Sequence, residues 1–515
     1  MFSRLRELRK AQPRQSQAKL SILCRGKPIG RDELFAYTNG HFLIDEQRQL
    51  DRRHVKFNVD ALCDVVAKIP FRIAGPISLT TAAEVGVLEY LKMNTTVPVP
   101  RVLSWSTDKT SPVGAEYIIM EKARGVPLFE RWGEMPEPKK LQLIRNLSKH
   151  EAQFSAIQFP GYGGLYLRAD AEKLNIAHLS LDGDNAPSRF SIGPTPDRSF
   201  YLDPTSDRIA SPGDAAQGSW NTRSQLGMSI IKRELSGLSN RPSPRPPTFY
   251  IGTIDERKRL LESTIPLVEV LDSNPTLHTT AQPTFWHSDL PMGNIFVSPD
   301  EPSQTECLID FQSLCVMPAF LQCQWPIFLR PPQEYAIGLV KPKLPDNYDE
   351  LSETPKACAK MQLTQEMRAK AYEIATNLGT TSAYNPMIVP RLFRELFTRW
   401  GEVSEFGVLP LQACLIEFFQ SWSALGFTNP CPLSFTDEEI AKHERQFQEY
   451  QDWHEAHRLA REALETDAEG WISPQVDIVE KRKQNRELLG MFVEQMVKEK
   501  TEEDARRMWP FPDDS

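Results

Sequence analysis

The apolar pattern of the first 125 residues predicts short strands. Residues 64–70 form a β-branched apolar run closed by proline, and two further apolar runs follow at 101–105 and 116–120. Runs of this length bounded by turn residues are typical of buried strands. Gly125 comes soon after the third run, where a glycine indicates a change of direction.

One stretch between these strands has helical spacing instead. Val85, Leu88 and Leu91 recur three residues apart, so they share one face of a helix. Thr81 and Glu84 stand at the spacing of a capping box, which predicts that this helix begins at Thr81.

Beyond this region the pattern is mainly helical, with two interruptions. Residues 139–158 and 254–271 predict amphipathic helices. Residues 170–248 are rich in Pro, Ser, Asp and Gly, which predicts a long irregular segment. Residues 283–318 predict compact loops and strands, and nearly everything after residue 334 predicts helix.

Two start signals subdivide the last 80 residues. Thr436 and Glu439 have capping-box spacing at the head of a charged helix that extends to about Glu465. Ser473 and Pro474 predict the start of another helix, because proline is favoured at the first helical position. The predicted fold class is therefore α+β, with a small α/β lobe followed by a large helical lobe.

Composition narrows the class of protein without naming a partner. The 515 residues are 40% hydrophobic and 25% charged, which is typical of a globular protein large enough for two lobes. The net charge of -8 gives no global attraction to nucleic acid. No apolar run approaches the roughly 20 residues that span a bilayer, so no transmembrane segment is expected. The eight cysteines form no CxxC pair, which favours free thiols.

The first thirty residues have a different composition from the rest. They contain eight lysines and arginines against one acid, Glu7, with serines and glutamines between them. This composition suits a mitochondrial transit peptide. A disordered basic tail is an equally open alternative on composition alone.

Four polar residues at fixed spacing carry the candidate chemistry. The segment 286–297 contains His287, Asp289 and Asn294 in the order His-x-Asp-x-x-x-x-Asn, and Asp310 follows sixteen residues after Asn294 within Ile-Asp-Phe. Phosphoryl transfer needs a group that orients the attacking hydroxyl and metal ions that neutralise the phosphates. A carboxylate at Asp289 suits the first task. The oxygens of Asn294 and Asp310 are ligands that Mg²⁺ prefers.

Each of these residues also has a plain structural explanation. His287 fits a hydrogen-bonded loop histidine, Asp289 fits a turn cap, and Asn294 with Asp310 fits the ends of a hairpin. The joint pattern favours the functional interpretation, because apolar runs 295–297 and 307–309 flank a turn and would bring Asn294 next to Asp310.

At this point the sequence resembles the aminoglycoside phosphotransferase and choline-kinase-like group of the kinase-like superfamily. Three further runs, at 112–122, 468–474 and 507–512, look like a fungal branch of that group, often labelled altered inheritance of mitochondria protein nine. The resemblance extends from about Phe35 to the end of the chain with one gap. It implies a protein-kinase-like bilobal fold, the cofactors ATP and Mg²⁺, and a mitochondrial protein.

The resemblance assigns roles residue by residue. It makes Asp289 the catalytic base, His287 the residue that orders the catalytic loop, and Asn294 and Asp310 the magnesium ligands. Lys68 would contact the α- and β-phosphates of ATP.

Two further roles come from the same resemblance. Glu84 would pair with Lys68 and hold it in place, and Met120, Glu121 and Lys122 would form the lobe connector that offers its backbone to adenine. As plain alternatives, Lys68 is a solvated strand lysine and Glu84 is satisfied by its capping box.

The acceptor class follows from what comes after Asp310. Gln312 stands where protein kinases have glycine, and no Ala-Pro-Glu follows at activation-loop distance. This favours a small-molecule hydroxyl as acceptor. Segment 170–248 is the expected place for its binding site, and the sequence identifies neither the acceptor nor the oligomeric state.

The sequence departs from the family before the lysine strand. Residues 60–63 run directly into residues 64–68, without the strand, glycine-rich turn and strand whose backbone amides cover the ATP phosphates. This leaves a reduced N-lobe. Either an exon is missing from the sequence, or the protein is a variant that binds nucleotide weakly or not at all.

The predicted organisation is a transit peptide at 1–30, a reduced N-lobe and connector at 31–122, and a helical C-lobe at 123–515. The predicted function is ATP- and Mg²⁺-dependent phosphoryl transfer to a small-molecule hydroxyl. A pseudo-kinase acting as a mitochondrial binding or scaffold protein is the first alternative, and a magnesium-dependent hydrolase is a distant second.

Overall fold

The computed structural model describes residues 22–24, 27–29, 40–54, 67–71, 74–181, 188–201, 217–238, 247–288, 290–332, 334–498 and 500–512. It is a mixed helix and sheet structure in which 52% of the chain is helical, which confirms the predicted mixture of helix and strand.

The strands are short, and most pair with neighbours distant in sequence. They are β1 (Ile22–Cys24), β2 (Lys27–Ile29), β3 (His41–Phe42), β4 (Ala67–Lys68), β5 (Val102–Ser106), β6 (Tyr117–Met120), β7 (Val126–Pro127), β8 (Gly163–Leu167), β9 (Leu179–Ser180), β10 (Phe190–Gly193), β11 (Pro283–Phe285), β12 (Ile295–Val297), β13 (Thr305–Leu308), β14 (Cys315–Pro318) and β15 (Trp471–Ile472).

The helices dominate the second half of the chain. They are α1 (Glu46–Arg53), α2 (Leu79–Asn94), α3 (Phe129–Trp132), α4 (Glu137–Ala156), α5 (Arg168–Lys173), α6 (Arg223–Gly237), α7 (Ile254–Ser263), α8 (Ile265–Leu271), α9 (Pro275–Thr280), α10 (Ala319–Gln322), α11 (Glu353–Gly379), α12 (Thr381–Met387), α13 (Arg391–Trp400), α14 (Val403–Phe406), α15 (Val408–Gln420), α16 (Asp437–Leu464), α17 (Ile478–Met496) and α18 (Glu502–Met508).

Three small antiparallel sheets surround the candidate chemistry. One has the strand order β4-β6-β5 and carries Lys68, a second has the order β13-β12-β7, and a third has the order β11-β14-β8-β10-β9. The predicted hairpin at 295–309 is confirmed, since Ile295 pairs with Leu308 across β12 and β13. The predicted turn at Gly125 is also present: its φ is 86°, and an added Cβ would lie 2.4 Å from the carbonyl oxygen of Val297.

Helix α2 lies between the sheet of Lys68 and the five-stranded sheet. Most of it is buried, including Val85, Leu88 and Leu91 at their predicted helical spacing. An added Cβ on Gly86 would meet the carbonyl oxygen of Leu165 in β8 at 2.3 Å, so the absence of a side chain lets helix and strand approach closely.

The predicted capping box of α2 is wrong. The helix begins at Leu79, its N-cap residue is Ser78, and no side chain of the cap accepts a hydrogen bond. The capping acceptor is instead the carboxylate of Glu116, the residue before β6, which accepts the Ser78 backbone N–H at 3.0 Å. A partner 38 residues away therefore supplies the cap, which local spacing did not indicate.

The irregular character predicted for 170–248 is wrong for the part that the structure describes. Strand β10 lies fully buried in the five-stranded sheet, and α6 buries Leu226 and Ile231 in the main core. Residues 182–187, 202–216 and 239–246 lie outside the described residues. Composition did not indicate β10 and α6, because tertiary packing stabilises them.

Of the two helix starts predicted for the last 80 residues, one is correct and the other is wrong. The predicted capping box of Thr436 and Glu439 is confirmed at the head of α16, where both reciprocal hydrogen bonds form. The helix start predicted at Ser473 is wrong: α17 begins at Ile478 with Asp477 as its side-chain cap. The predicted helix at 254–271 is two helices joined at Thr264, next to Pro266.

Strand β3 and helix α1 pack on the C-terminal helices. Phe42 pairs with Trp471 across β3 and β15, and Arg482 donates to Glu46 at 2.7 Å. Arg53 forms an ion pair with Glu469. Leu43, which follows β3, belongs to one hydrophobic cluster with apolar residues of α16, α17 and α18. No described helix is both long and apolar enough to cross a bilayer.

Candidate functional site

Lys68 is the centre of the candidate site. Its ammonium group lies 2.7 Å from Glu84 Oε1 and 2.7 Å from Asp310 Oδ1. These three residues come from β4, from α2 and from the loop after β13. The structure therefore joins residues that are 16 and 242 positions apart.

Burial and opposite charges act against each other on the pKa values of Lys68 and Glu84. Burial opposes the charge of Lys68, but Glu84 and Asp310 outweigh that effect and raise the pKa of Lys68 above its ordinary value. Burial raises the pKa of Glu84, with the Lys68 ammonium acting against the shift. Glu84 is only 2% exposed, whereas the Asp310 side chain is 46% exposed. Asp310 is therefore the carboxylate that faces solvent.

His287 and Asn294 both hold the backbone next to Asp310. The Nε2–H of His287 donates to the Ile309 carbonyl at 3.0 Å, and the centre of its ring lies 4.9 Å from the centre of the Phe311 ring. The Ile309 N–H in turn donates to the Asn294 carbonyl at 3.0 Å. The predicted proximity of Asn294 to Asp310 is thus present at the level of the backbone.

Backbone strain also marks this loop. Asp310 has φ 65° and Ser313 has φ 60°, which lie in the left-handed region that is uncommon for residues other than glycine. Such conformations persist where the surrounding structure fixes them, and they cluster at functional sites. Here the contacts of His287, Asn294 and Lys68 fix Asp310.

The connector residues continue from β6. Met120 ends that strand opposite Val102, and the Glu121 N–H donates to the Arg101 carbonyl at 2.9 Å. The Glu121 carboxylate also pairs with the Arg101 side chain at 2.6 Å. The backbone N–H of Glu121 is therefore used by Arg101, and the binding of adenine by the connector stays a prediction.

Asp289 lies outside the described residues, so its position relative to Lys68 and Asp310 stays a prediction. Residues 55–66, where the family has its glycine-rich turn, also lie outside them. Among the described residues, no group of three His, Cys, Asp or Glu side chains could hold a metal ion. Of the predicted ligands, Asn294 contributes an amide and Asp310 a carboxylate.

Two supporting residues were missed by the sequence analysis. Ser313 Oγ donates to the Ala74 carbonyl at 3.2 Å, which ties the loop after Asp310 to the segment before α2. Glu116 holds the N-terminus of α2, the helix that carries Glu84. Neither residue belongs to a recognisable spacing, because each acts across elements that are distant in sequence.

Comparison with known proteins identifies relatives of this chain. A subtelomeric hrmA-associated cluster protein of Aspergillus fumigatus is 26% identical over 484 residues, covering 87% of this chain and 92% of the relative. This chain has fungal relatives. An altered inheritance of mitochondria protein 9 of Yarrowia lipolytica, named as mitochondrial, is 21% identical over 488 residues and covers 82% of each chain.

These relatives confirm the resemblance to the fungal branch that the sequence motifs indicated. Several carry names that place them in mitochondria, in agreement with the predicted localisation. No family model matches the chain.

Solved structures of aminoglycoside phosphotransferases are also similar. The streptomycin-ATP-APH(2")-IIa ternary complex is 14% identical, with a TM-score of 0.30, and the match covers 70% of this chain and 86% of that one. A likeness at this level says nothing about the substrate of the present chain.

Proposed function

We propose that this chain is a kinase-like phosphotransferase that transfers a phosphoryl group from Mg-ATP to a hydroxyl of a small molecule in mitochondria. The observation that supports it best is the position of Lys68 between Glu84 and Asp310, with both contacts at 2.7 Å. A lysine held by a helix glutamate beside a metal-binding aspartate is the arrangement that positions ATP phosphates in kinases.

The residues present fit the proposed cofactors. Asp310 presents an exposed carboxylate. Asn294 is close in space, because its backbone carbonyl accepts the N–H of Ile309, the residue before Asp310. Carboxylate and amide oxygens would hold Mg²⁺, and the Lys68 ammonium would bind the α- and β-phosphates. When bound, ATP would supply the phosphoryl group, and Mg²⁺ would neutralise the negative charge of the phosphates.

Each protein group then has one task. Glu84 fixes Lys68, and its burial keeps that lysine from swinging to solvent. His287 holds Ile309, and thereby the strained Asp310, in place. Asp289 accepts the proton of the acceptor hydroxyl, and the connector 120–122 binds adenine. The N-lobe at 31–122 and the C-lobe at 123–515 would enclose the nucleotide between them.

A binding or scaffold protein without catalytic activity is the second candidate. The sequence observation that favours it is the direct passage from residue 60 to Lys68 without a glycine-rich turn. Backbone N–H groups of such a turn cover the phosphates in active kinases, so their loss would weaken nucleotide binding.

Mitochondrial localisation is proposed on two grounds. The first thirty residues have the composition of a transit peptide, and several relatives are named as mitochondrial. Fluorescence microscopy of the tagged full chain, with and without residues 1–30, would test it. A diffuse signal from the full chain would contradict it.

Calorimetric titration of Mg-ATP into the purified full chain tests the catalytic proposal. We expect binding by the unaltered chain and at least about a tenfold loss of affinity in Asp310→Ala, because the exposed metal ligand is removed. Asp300→Ala is the matched control, since Asp300 is an exposed acid in the turn after β12. Its affinity should be unchanged.

A third protein separates the two candidates. It carries a glycine-turn hairpin inserted between residues 63 and 64. If it binds Mg-ATP and the unaltered chain does not, the present sequence is inactive for want of that turn. If neither folded protein binds, the catalytic proposal is wrong and the binding protein is favoured.

A further inference from the structure

A surface groove runs between α4 and α11, and none of the residues lining it belongs to the candidate site. Its cavity volume is about 620 Å³. Three large aliphatic side chains line it with much of their surface exposed: Leu378 is 83% exposed, Leu141 40% and Ile374 38%. Single exposed leucines are ordinary, but three that converge on one concave surface indicate a binding site.

Two cations stand on the α4 side of the groove. Arg145 and Lys149 are exposed and four residues apart, so they lie one helical turn from each other. Neither forms an ion pair with any residue that the structure describes. No acid lines the groove. Both positive charges therefore face an apolar surface without a neutralising partner.

Other cations near these helices are paired. Lys139 at the start of α4 binds Glu301 at 2.7 Å, and Arg368 of α11 binds Glu137 at 2.5 Å. Acids thus stand beside the cations at these two contacts of α4, whereas no acid lines the groove. We therefore expect the negative charge to come from the ligand.

The walls of the groove determine the shape of that ligand. Both walls are helices, whose backbone N–H and C=O groups are already used within the helix. An extended peptide would find no sheet edge to pair with, so a bound segment must satisfy its own backbone as a helix. Small residues such as Ala152 and Ala375 leave room for close approach.

We propose that the α4–α11 groove binds an amphipathic helix of a partner protein, with an apolar stripe against Leu141, Ile374 and Leu378 and acids against Arg145 and Lys149. From Leu141 to Ala152 the groove follows twelve residues of α4, which span about 16.5 Å at a rise of about 1.5 Å per residue. The partner helix therefore contacts the groove over about three turns. This role is independent of phosphoryl transfer.

Two labelled peptides of equal helicity test the proposal against the purified full chain. Both carry the same leucines at i, i+4, i+7 and i+11. One has glutamates beside that stripe, and the other has lysines at the same positions. Fluorescence anisotropy should show at least about tenfold tighter binding of the glutamate peptide, since it pairs with both cations.

Charge exchange provides the decisive control. The double variant Arg145→Glu/Lys149→Glu should reverse the preference in favour of the lysine peptide. Leu378→Ser should weaken the binding of both peptides. Lys442→Glu/Arg445→Glu is the matched control, because it changes two exposed cations on α16, and it should leave the preference unaltered. All the changed side chains are exposed, so circular dichroism should be unchanged.

Three results would overturn the proposal. Equal binding of the two peptides, or a preference that the double variant does not change, would show unspecific adsorption. Self-association of the full chain in sedimentation velocity that Leu378→Ser abolishes would make the groove an interface between copies. Binding to vesicles with anionic lipid that Arg145→Glu/Lys149→Glu abolishes would make it a membrane contact instead.

Discussion

Glu151 is a carboxylic acid buried in the helical core. It is 1% exposed on α4, and the hydroxyl of Tyr372 in α11 donates to its Oε2 at 2.6 Å. Burial raises the pKa of Glu151 from 4.5 to about 8, with the Tyr372 hydrogen bond acting in the opposite direction. The folded protein therefore keeps a proton at neutral pH that the unfolded chain releases.

That difference predicts how stability changes with pH. Between about pH 4.5 and about 8 the unfolded state binds fewer protons at this site, so the free energy of unfolding should fall by up to about 1.4 kcal/mol per pH unit. Glu151→Gln keeps an acceptor for Tyr372 and cannot ionise. Urea unfolding at pH 5.5, 6.5 and 7.5 should therefore show that this variant gains stability relative to the unaltered chain as pH rises. A constant difference would contradict the protonated state.

Single residues of the candidate site were predictable where the motif is local. His287, Asn294 and Asp310 follow a fixed order in the sequence, and the structure brings them to one backbone segment. Lys68 and Glu84 were expected to pair, and they form an ion pair. The direct contact of Lys68 with Asp310 was not foreseen, because nothing in the sequence relates positions 242 residues apart.

The N-terminus of α2 shows how one element depends on another. Glu116, the residue before β6, accepts the Ser78 N–H. Burial raises the pKa of its carboxyl, and the hydrogen bonds from residues 78 and 81 oppose that shift. A carboxylate at this end of a helix also meets the positive end of its dipole. The strand therefore fixes the helix that carries Glu84.

Loss of this contact should destabilise the whole element. Glu116→Ala should lower the free energy of unfolding by about 1 kcal/mol, the usual cost of removing a helix cap. Glu116→Gln retains a carbonyl acceptor and should cost less. Urea unfolding of both variants measures the difference, and equal losses would mean that Glu116 does not act as a cap.

At the scale of elements, strands and helices could be predicted where the residues that determine them lie within the element itself. The hairpin 295–309 and the capping box of α16 were both correct, because turn residues and cap spacing lie within a few positions. The prediction of an irregular segment over residues 170–248 was wrong because the signal lies outside the segment. Strand β10 is stabilised by pairing with β8 and α6 by burial in the main core, and composition reports neither.

On the scale of the whole molecule, Leu43 and Ile44 beside β3 share a core with α16, α17 and α18. Phe42 is fully buried beside β15, with the Arg53 guanidinium 4.7 Å from the centre of its ring. This contact could not be predicted, since the two strands have two residues each and the paired residues Phe42 and Trp471 lie 429 positions apart. The partners of such short strands are determined only by tertiary packing.

Removal of the Phe42 ring should therefore affect helices at the other end of the chain. Phe42→Ala should cost about 3–5 kcal/mol, the usual loss for a buried phenylalanine. Hydrogen exchange in α17 and α18 should accelerate. Phe129→Ala is the matched control, since Phe129 is 57% exposed, and it should leave exchange in those helices unchanged. Unaltered protection in Phe42→Ala would contradict a shared core.

The pairing of β3 with β15 also constrains the order in which the protein can assemble. Residues 41–53 emerge from the ribosome more than 400 residues before their partners at 469–482. Contacts of such sequence separation form slowly, because a long loop must close first. Residues 41–53 therefore lack these partners while the intervening residues are synthesised. A chain imported during synthesis would reach a translocation pore before these long-range contacts form.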